Sequence, residues 1–174
     1  MDKLYYTEMV SPIGMLTLVG DHDTILAMEF GEFEKNQEKL LKWCKKYNLP
    51  TLLEYDSNIL KDVQHQLSEY FRGDRSQFSI KYKLFGTEFQ KKVWNALISV
   101  PYGETWSYKQ LAEKIDSPKA LRAVGGANNK NPVSIIIPCH RVIGANGRLV
   151  GYGGGIEKKT YLLELEKGKG LGFR

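Results

Sequence analysis

Cys139 and His140 stand side by side in the run Ile135-Ile136-Ile137-Pro138-Cys139-His140-Arg141-Val142-Ile143, an apolar stretch that a fold would bury. A thiol beside an imidazole is a pairing used in nucleophilic catalysis. The thiolate is the reactive form, its unperturbed pKa is about 8.5, and an imidazole oriented by a carboxylate takes its proton. The wheel of the last helix, Ile156 to Glu166, offers the carboxylate: Tyr161, Leu162, Leu163 and Leu165 form an apolar arc, Glu166 falls inside it, and Glu164 points away. A carboxylate aimed at apolar surroundings needs a partner. Adjacent side chains of an extended strand face opposite ways, so Cys139 and His140 meet only through a bend at Pro138 or a bridging water. The competing account is a buried structural cysteine beside a satisfied histidine.

Other chemistries are poorly served. The only cysteines, Cys44 and Cys139, make neither a disulfide framework nor a thiolate metal site, and such usage fits a reducing compartment. His22, His65 and His140 are never paired at i, i+4 around a carboxylate, so no metal site is expected. No apolar run is long enough to span a membrane, and the start MDKLYYTEMV lacks the apolar core of a signal peptide, so a cytoplasmic protein is expected. The net charge of +5 divides unevenly, with −2 over residues 1–84 and +7 over residues 85–174. A basic C-terminal half suits a polyanionic partner.

The elements that must hold these residues read as two domains, 1–84 and 85–174. The first 30 residues alternate as a three-stranded meander, with turns at Ser11-Pro12-Ile13-Gly14 and Asp21-His22-Asp23. Two amphipathic helices follow, Glu34 to Tyr47 and Asn58 to Phe71, with Cys44 on an apolar face, then a short strand near Phe78–Tyr82. In the second half, Thr87 with Gln90 and Ser107 with Gln110 are capping boxes that open two helices. After Asp116-Ser117-Pro118 a third helix is expected from Lys119 to Asn128. Its Leu121 and Val124 point to a core, while Lys119, Arg122, Ala123, Gly126 and Ala127 share a small, basic face. Gly125 and Gly126 each cost about 1 kcal/mol in a helix interior, which a closely approaching partner would offset. Two helices joined by a short turn, with arginine on a bare face, suggest a helix-turn-helix, although an αα-corner with tightly packed glycines gives the same pattern. The run Val133 to Ile137 reads as a buried strand, and Val142-Ile143 with Arg148-Leu149-Val150 as a hairpin about Asn146-Gly147.

Pro138-Cys139-His140-Arg141-Val142 resembles the active-site signature of the methylated-DNA–protein-cysteine methyltransferases, the O6-alkylguanine-DNA alkyltransferases. The likeness extends through Gly86-Thr87-x-Phe89-Gln90-x-x-Val93-Trp94, Pro101-x-Gly103-Glu104-Thr105-x-Ser107-Tyr108, Arg122-Ala123-Val124-Gly125-Gly126-Ala127, Asn131-Pro132 and Leu162-Leu163-x-x-Glu166. It covers residues 86–166 strongly and 1–85 weakly.

The resemblance implies an α/β (α+β) fold, with a ribonuclease-H-like α/β scaffold before a mostly helical, winged-helix-like domain carrying the helix-turn-helix. It further implies irreversible, single-turnover transfer of an alkyl group from O6-alkylguanine, or more slowly O4-alkylthymine, in double-stranded DNA. By the same likeness Cys139 is the acceptor, His140 its base through a water, Glu166 the group that orients His140, and Asn131 a brace. Tyr108 would crowd the flipped nucleotide's phosphate and protonate guanine at N3, and Arg122 would fill the base stack. Lys119, Ala123, Gly125, Gly126 and Ala127 would meet DNA, while Val142, Tyr152, Gly153 and Lys159 would line the pocket. No cofactor, metal or membrane is implied, and a monomer is expected. The alternative is a non-catalytic lesion-binding protein, against which the presence of Cys139 argues.

Overall fold

The alternating apolar residues at the start of the chain form β1 (Leu4–Ser11), β2 (Gly14–Asp21) and β3 (Thr24–Phe30). They pair as an antiparallel meander in the computed structural model, which describes residues 2–168. At the first turn Gly14 takes φ +101, which glycine adopts at little steric cost, and Ser11 Oγ donates to Gly14 O at 2.6 Å. A fourth strand, β4 (Leu53–Tyr55), was not foreseen; it lies parallel to β1 and sets the order β3-β2-β1-β4. The helices are α1 (Phe33–Lys46) and α2 (Lys61–Phe71). Leu40 and Cys44 of α1 pack with Leu4, Val19, Leu26 and Ala27, which places Cys44 in the core. Burial pushes its thiol pKa up, so Cys44 is structural.

The strand expected near Phe78–Tyr82 is absent. Only Tyr82 bridges to Ile25, through Ile25 N–H to Lys81 O and Lys83 N–H to Ile25 O. The Gln66 side chain takes the place of a strand partner at Ser79, accepting from its N–H at 2.9 Å and donating to its carbonyl at 3.1 Å. Residues through Phe85 form one compact unit, and a second begins at Gly86.

In the second unit both capping boxes form. Thr87 and Gln90 open α3 (Glu88–Leu97), and Ser107 and Gln110 open α4 (Tyr108–Lys114), which follows the short β5 (Trp106–Ser107). The next helix, α5, runs Leu121–Asn129 and starts later than expected, because residues 117–120 are taken up by a turn that Ala120 N–H closes on Ser117 O at 3.0 Å. Lys119 therefore precedes the helix, exposed, instead of sharing its face. Leu121 is likewise outward, and Ala127, expected on the bare face, is buried. The reason is α3: its Trp94 Nε1 donates to Ala127 O at 2.8 Å, so that turn of α5 faces the core.

Two further expectations fail. Val133 to Ile137 make no strand but a buried, tightly turned segment. The parallel partner of β6 (Val142–Ile143) is β5, while residues 148–150 form no ladder with it. Gly144 N–H donates to Arg148 O at 2.7 Å, and Gly147 turns the chain at φ +74. The chain then enters α6 (Ile156–Lys167), which ends at Gly168 in the left-handed conformation.

Candidate active site

Two γ-turns put Cys139 where it is. Ile136 N–H reaches back to Ser134 O at 2.9 Å around Ile135, whose φ of 73 is unusual for a β-branched residue. Cys139 N–H reaches Ile137 O at 2.8 Å around Pro138, whose φ of −81 and ψ of 64 are those of an inverse γ-turn. Ladder bonds are replaced by Asn131, which accepts from Val133 N–H at 3.0 Å and donates to Ile137 O at 2.7 Å. Burial of Val133, Ile135 and Ile137, each contributing roughly 1.5–3 kcal/mol, offsets the strain of about 1–3 kcal/mol at Ile135. The chain then makes one 3-10 turn, Cys139–Arg141, so adjacent residues need not face opposite ways as in a strand.

His140 is wholly buried, and its Nε2 lies 2.6 Å from Glu166 Oε2. Arg141, the next residue, grips the same carboxylate: Nε donates to Oε1 at 2.7 Å and Nη2 to Oε2 at 3.1 Å. Its Nη1 donates to Val100 O at 2.7 Å, and its guanidinium lies over the Tyr102 ring. Burial raises the Glu166 carboxyl, but His140 and Arg141 outweigh it and hold its pKa at about 2. Burial keeps His140 below its usual range, and the Arg141 charge pushes the same way against the pull of Glu166. At neutral pH the ionised carboxylate can only accept, so Nε2 carries the imidazole hydrogen. That leaves Nδ1 as a lone pair, buried and without a hydrogen-bond partner among the described residues.

Cys139 is buried, 4% exposed as a residue. Burial raises its pKa, while hydrogen bonds from the Asn131 and Ser134 side chains and the Lys159 charge work in the opposite direction. The net upward direction keeps the thiol protonated at rest. A neutral imidazole with a free lone pair is the group that such a thiol requires.

Around it stand α4 and the loop before α6. Tyr108 Oη donates to Val150 O at 3.2 Å, and burial raises this phenol, as it does that of Tyr152, which stays protonated well above neutral pH. Asn128 Nδ2 lies 3.4 Å from Cys139 O. Lys159, placed in the pocket by resemblance, directs its ammonium to Val142 O at 2.6 Å and Val150 O at 2.9 Å. Val142 O thus has one donor already. Gly153 is exposed, with only Asn129 O at 3.9 Å from the place of a Cβ.

The structure brings Cys139, His140, Glu166, Asn131, Tyr108, Tyr152 and Lys159 into one neighbourhood, and it adds Arg141 and Asn128, which the residue patterns did not single out. Arg141 sits inside the quoted motif; its signal was a guanidinium in a run otherwise destined for burial. On α5, Arg122, Ala123 and Gly126 are exposed, and a Cβ at Gly126 would meet nothing within 4 Å, whereas Gly125 lies by Tyr108. Among the described residues no cluster of His, Cys, Asp and Glu is arranged to hold a metal ion, and no helix is long and apolar enough to cross a membrane.

Fold and site together define a helix-turn-helix protein in which a buried cysteine is followed in the chain by a histidine bonded to a buried carboxylate. The ribonuclease-like domain of 6-O-methylguanine DNA methyltransferase matches residues 4–84, and the DNA-binding domain of the same enzyme matches residues 88–168. The chain belongs to the 6-O-methylguanine DNA methyltransferase family. It is 45% identical to the methylated-DNA–protein-cysteine methyltransferase of Methanosarcina acetivorans, over 94% of this chain and 98% of that one. The protein of the same name from Mycobacterium leprae is 43% identical, over 94% and 93%. Among solved structures, Mycobacterium tuberculosis OGT in complex with DNA superposes with a TM-score of 0.82 at 43% identity, over 94% of this chain and 93% of that one. The O6-methylguanine-DNA methyltransferase of Pyrococcus kodakaraensis gives 0.72 at 27% identity, over 94% and 98%.

Proposed function

We propose that this protein repairs DNA by taking the alkyl group of O6-alkylguanine in a duplex onto its own Cys139. The observation that carries the reading is the protonated, buried thiol next to a neutral His140 whose Nε2–H is committed to an ionised Glu166. His140 Nδ1 takes the thiol proton through a water, and the sulfur attacks the alkyl carbon. The S–C bond forms as the O6–C bond breaks, and the guanine left behind takes a proton at N3 from Tyr108, which solvent then restores. A methyl on O6 lies in the base stack, so the nucleotide must flip out, at a cost of a few kcal/mol that is least for a damaged pair. Arg122, exposed on α5, fills the gap from the minor groove, and the bare surface at Ala123 and Gly126 permits the close approach.

Arg141 is essential to this chemistry without touching substrate. Its fixed charge keeps Glu166 ionised when His140 is neutral, so the imidazole need not carry a proton to hold the carboxylate. The product is a thioether, which water does not reverse. With an excess of O6-methylguanine duplex, repair is expected to stop at one lesion per protein molecule, and continued turnover would overturn the reading.

A further inference from the structure

Lys159 is fully buried, and among the described residues no carboxylate meets its ammonium. Buried lysines are seldom retained without such a partner, and burial here lowers the pKa of this one from its usual range. Its ammonium donates instead to two backbone carbonyls from different segments of the chain. Val142 follows the turn that bears Cys139, and Val150 belongs to the loop leading to α6.

Val150 O has a second donor, the Tyr108 hydroxyl at 3.2 Å. The next residue, Gly151, has φ +63, and a Cβ on it would stand 3.4 Å from Tyr108 Oη, so the loop lies directly against that hydroxyl. Tyr108 is thus tied to the loop in the protein without DNA. To serve the flipped base it must release Val150, and the loop, 41% exposed at that residue, then loses the bond that ties it to α4. Lys159 holds the loop in place, because a carbonyl oxygen with two donors keeps one when the other departs.

We propose that Lys159 is a positioning residue: its ammonium clasps the pocket loop through the Val142 and Val150 carbonyls, so that Tyr108 can turn to the substrate without loosening the loop. The inference rests on the methyl-transfer reading above. Two reactions of the same thiol separate it from other roles. Methyl transfer from an O6-methylguanine duplex needs a proton at the departing base, whereas capture of Cys139 by iodoacetamide, scored on its own peptide apart from Cys44, expels iodide and needs none.

Loss of the Lys159 charge at the thiol slows both reactions alike, so Lys159→Met should slow methyl transfer by about tenfold or more beyond whatever slowing iodoacetamide capture shows. In the Tyr108→Phe background the Lys159→Met loss should shrink, because no hydroxyl is left to release; the paired losses are then smaller than their product. Equal losses in both reactions would assign Lys159 to the thiol or to general integrity, and multiplicative losses would separate it from Tyr108; either overturns the inference. If the apolar variant does not fold, Lys159→Gln, which keeps a donor but not the reach, is measured in the same two reactions, with the same split expected and parallel losses again overturning it. An unsubstituted protein that gains no methyl overturns the functional reading and the inference together, whereas failure of the split in a protein that does gain one overturns the inference alone.

Discussion

Glu166 concentrates the site's electrostatics in one carboxylate, shared by a neutral donor and a permanent cation. Glu166→Gln would leave the Arg141 guanidinium, 6% exposed, without its counter-ion, and a broken buried pair costs about 3–5 kcal/mol. The pH dependence follows from the depressed folded value. With an ordinary pKa of 4.5 and a folded value of about 2, the carboxylate contributes stability that is fully present above pH 4.5 and lost as pH falls through 2. That contribution is on the order of 3 kcal/mol. His140, held below its usual range, adds a loss as pH falls below about 6.5, since the unfolded chain takes up a proton that the folded one refuses. Urea unfolding across this range should show the Glu166→Gln curve lacking the segment between pH 4.5 and 2, and parallel curves for the two proteins would contradict the assignment. At this scale the inward aim of Glu166 was legible because a wheel places it among leucines. Arg141 as the second claimant was not, because a guanidinium beside a histidine carries no periodic signal; only the 3-10 turn aims both at α6.

Helix α5 is the element whose sequence makes least sense without a partner. Gly126 lies exposed in its interior, with no side chain within 4 Å of where a methyl would go. In the free protein Gly126→Ala should therefore stabilise the helix by up to about 1 kcal/mol. The same methyl would stand between the helix and the minor groove, so duplex binding should weaken as the thermal midpoint rises. Melting and duplex titration on one sample check this, and a variant that gains stability with unchanged affinity would remove Gly126 from the interface. The capping boxes of α3 and α4 were legible because their chemistry is local, a hydroxyl and an amide three residues apart. The start of α5 and the outward turn of Leu121 were not, since Trp94 of α3 fixes the helix's rotation by a bond to Ala127 O. Val133 to Ile137 misled for a related reason: a β-branched run usually extends, but the Asn131 side chain satisfies its backbone within a turn.

At the scale of the whole molecule, an acidic scaffold half precedes a basic half that carries both the helix-turn-helix and the thiol. A charge of +7 over residues 85–174 predicts duplex affinity that falls by at least about tenfold between 50 and 200 mM salt, as counterions compete for the phosphates. A salt-independent affinity would mean that the basic residues do not face the phosphates. The meander and the two-part organisation were legible from alternation and charge. β4 was not, because three residues after Pro50 offer no pattern and only pairing with β1 makes them a strand. The central claim is that one molecule of this protein accepts one alkyl group at Cys139. Its most direct test is the intact mass of the protein, followed by peptide mapping, after incubation with a duplex containing O6-methylguanine. One added methyl is expected, on Cys139 and absent from Cys139→Ser; an unmodified Cys139 after the lesion has been lost from the DNA would contradict the claim.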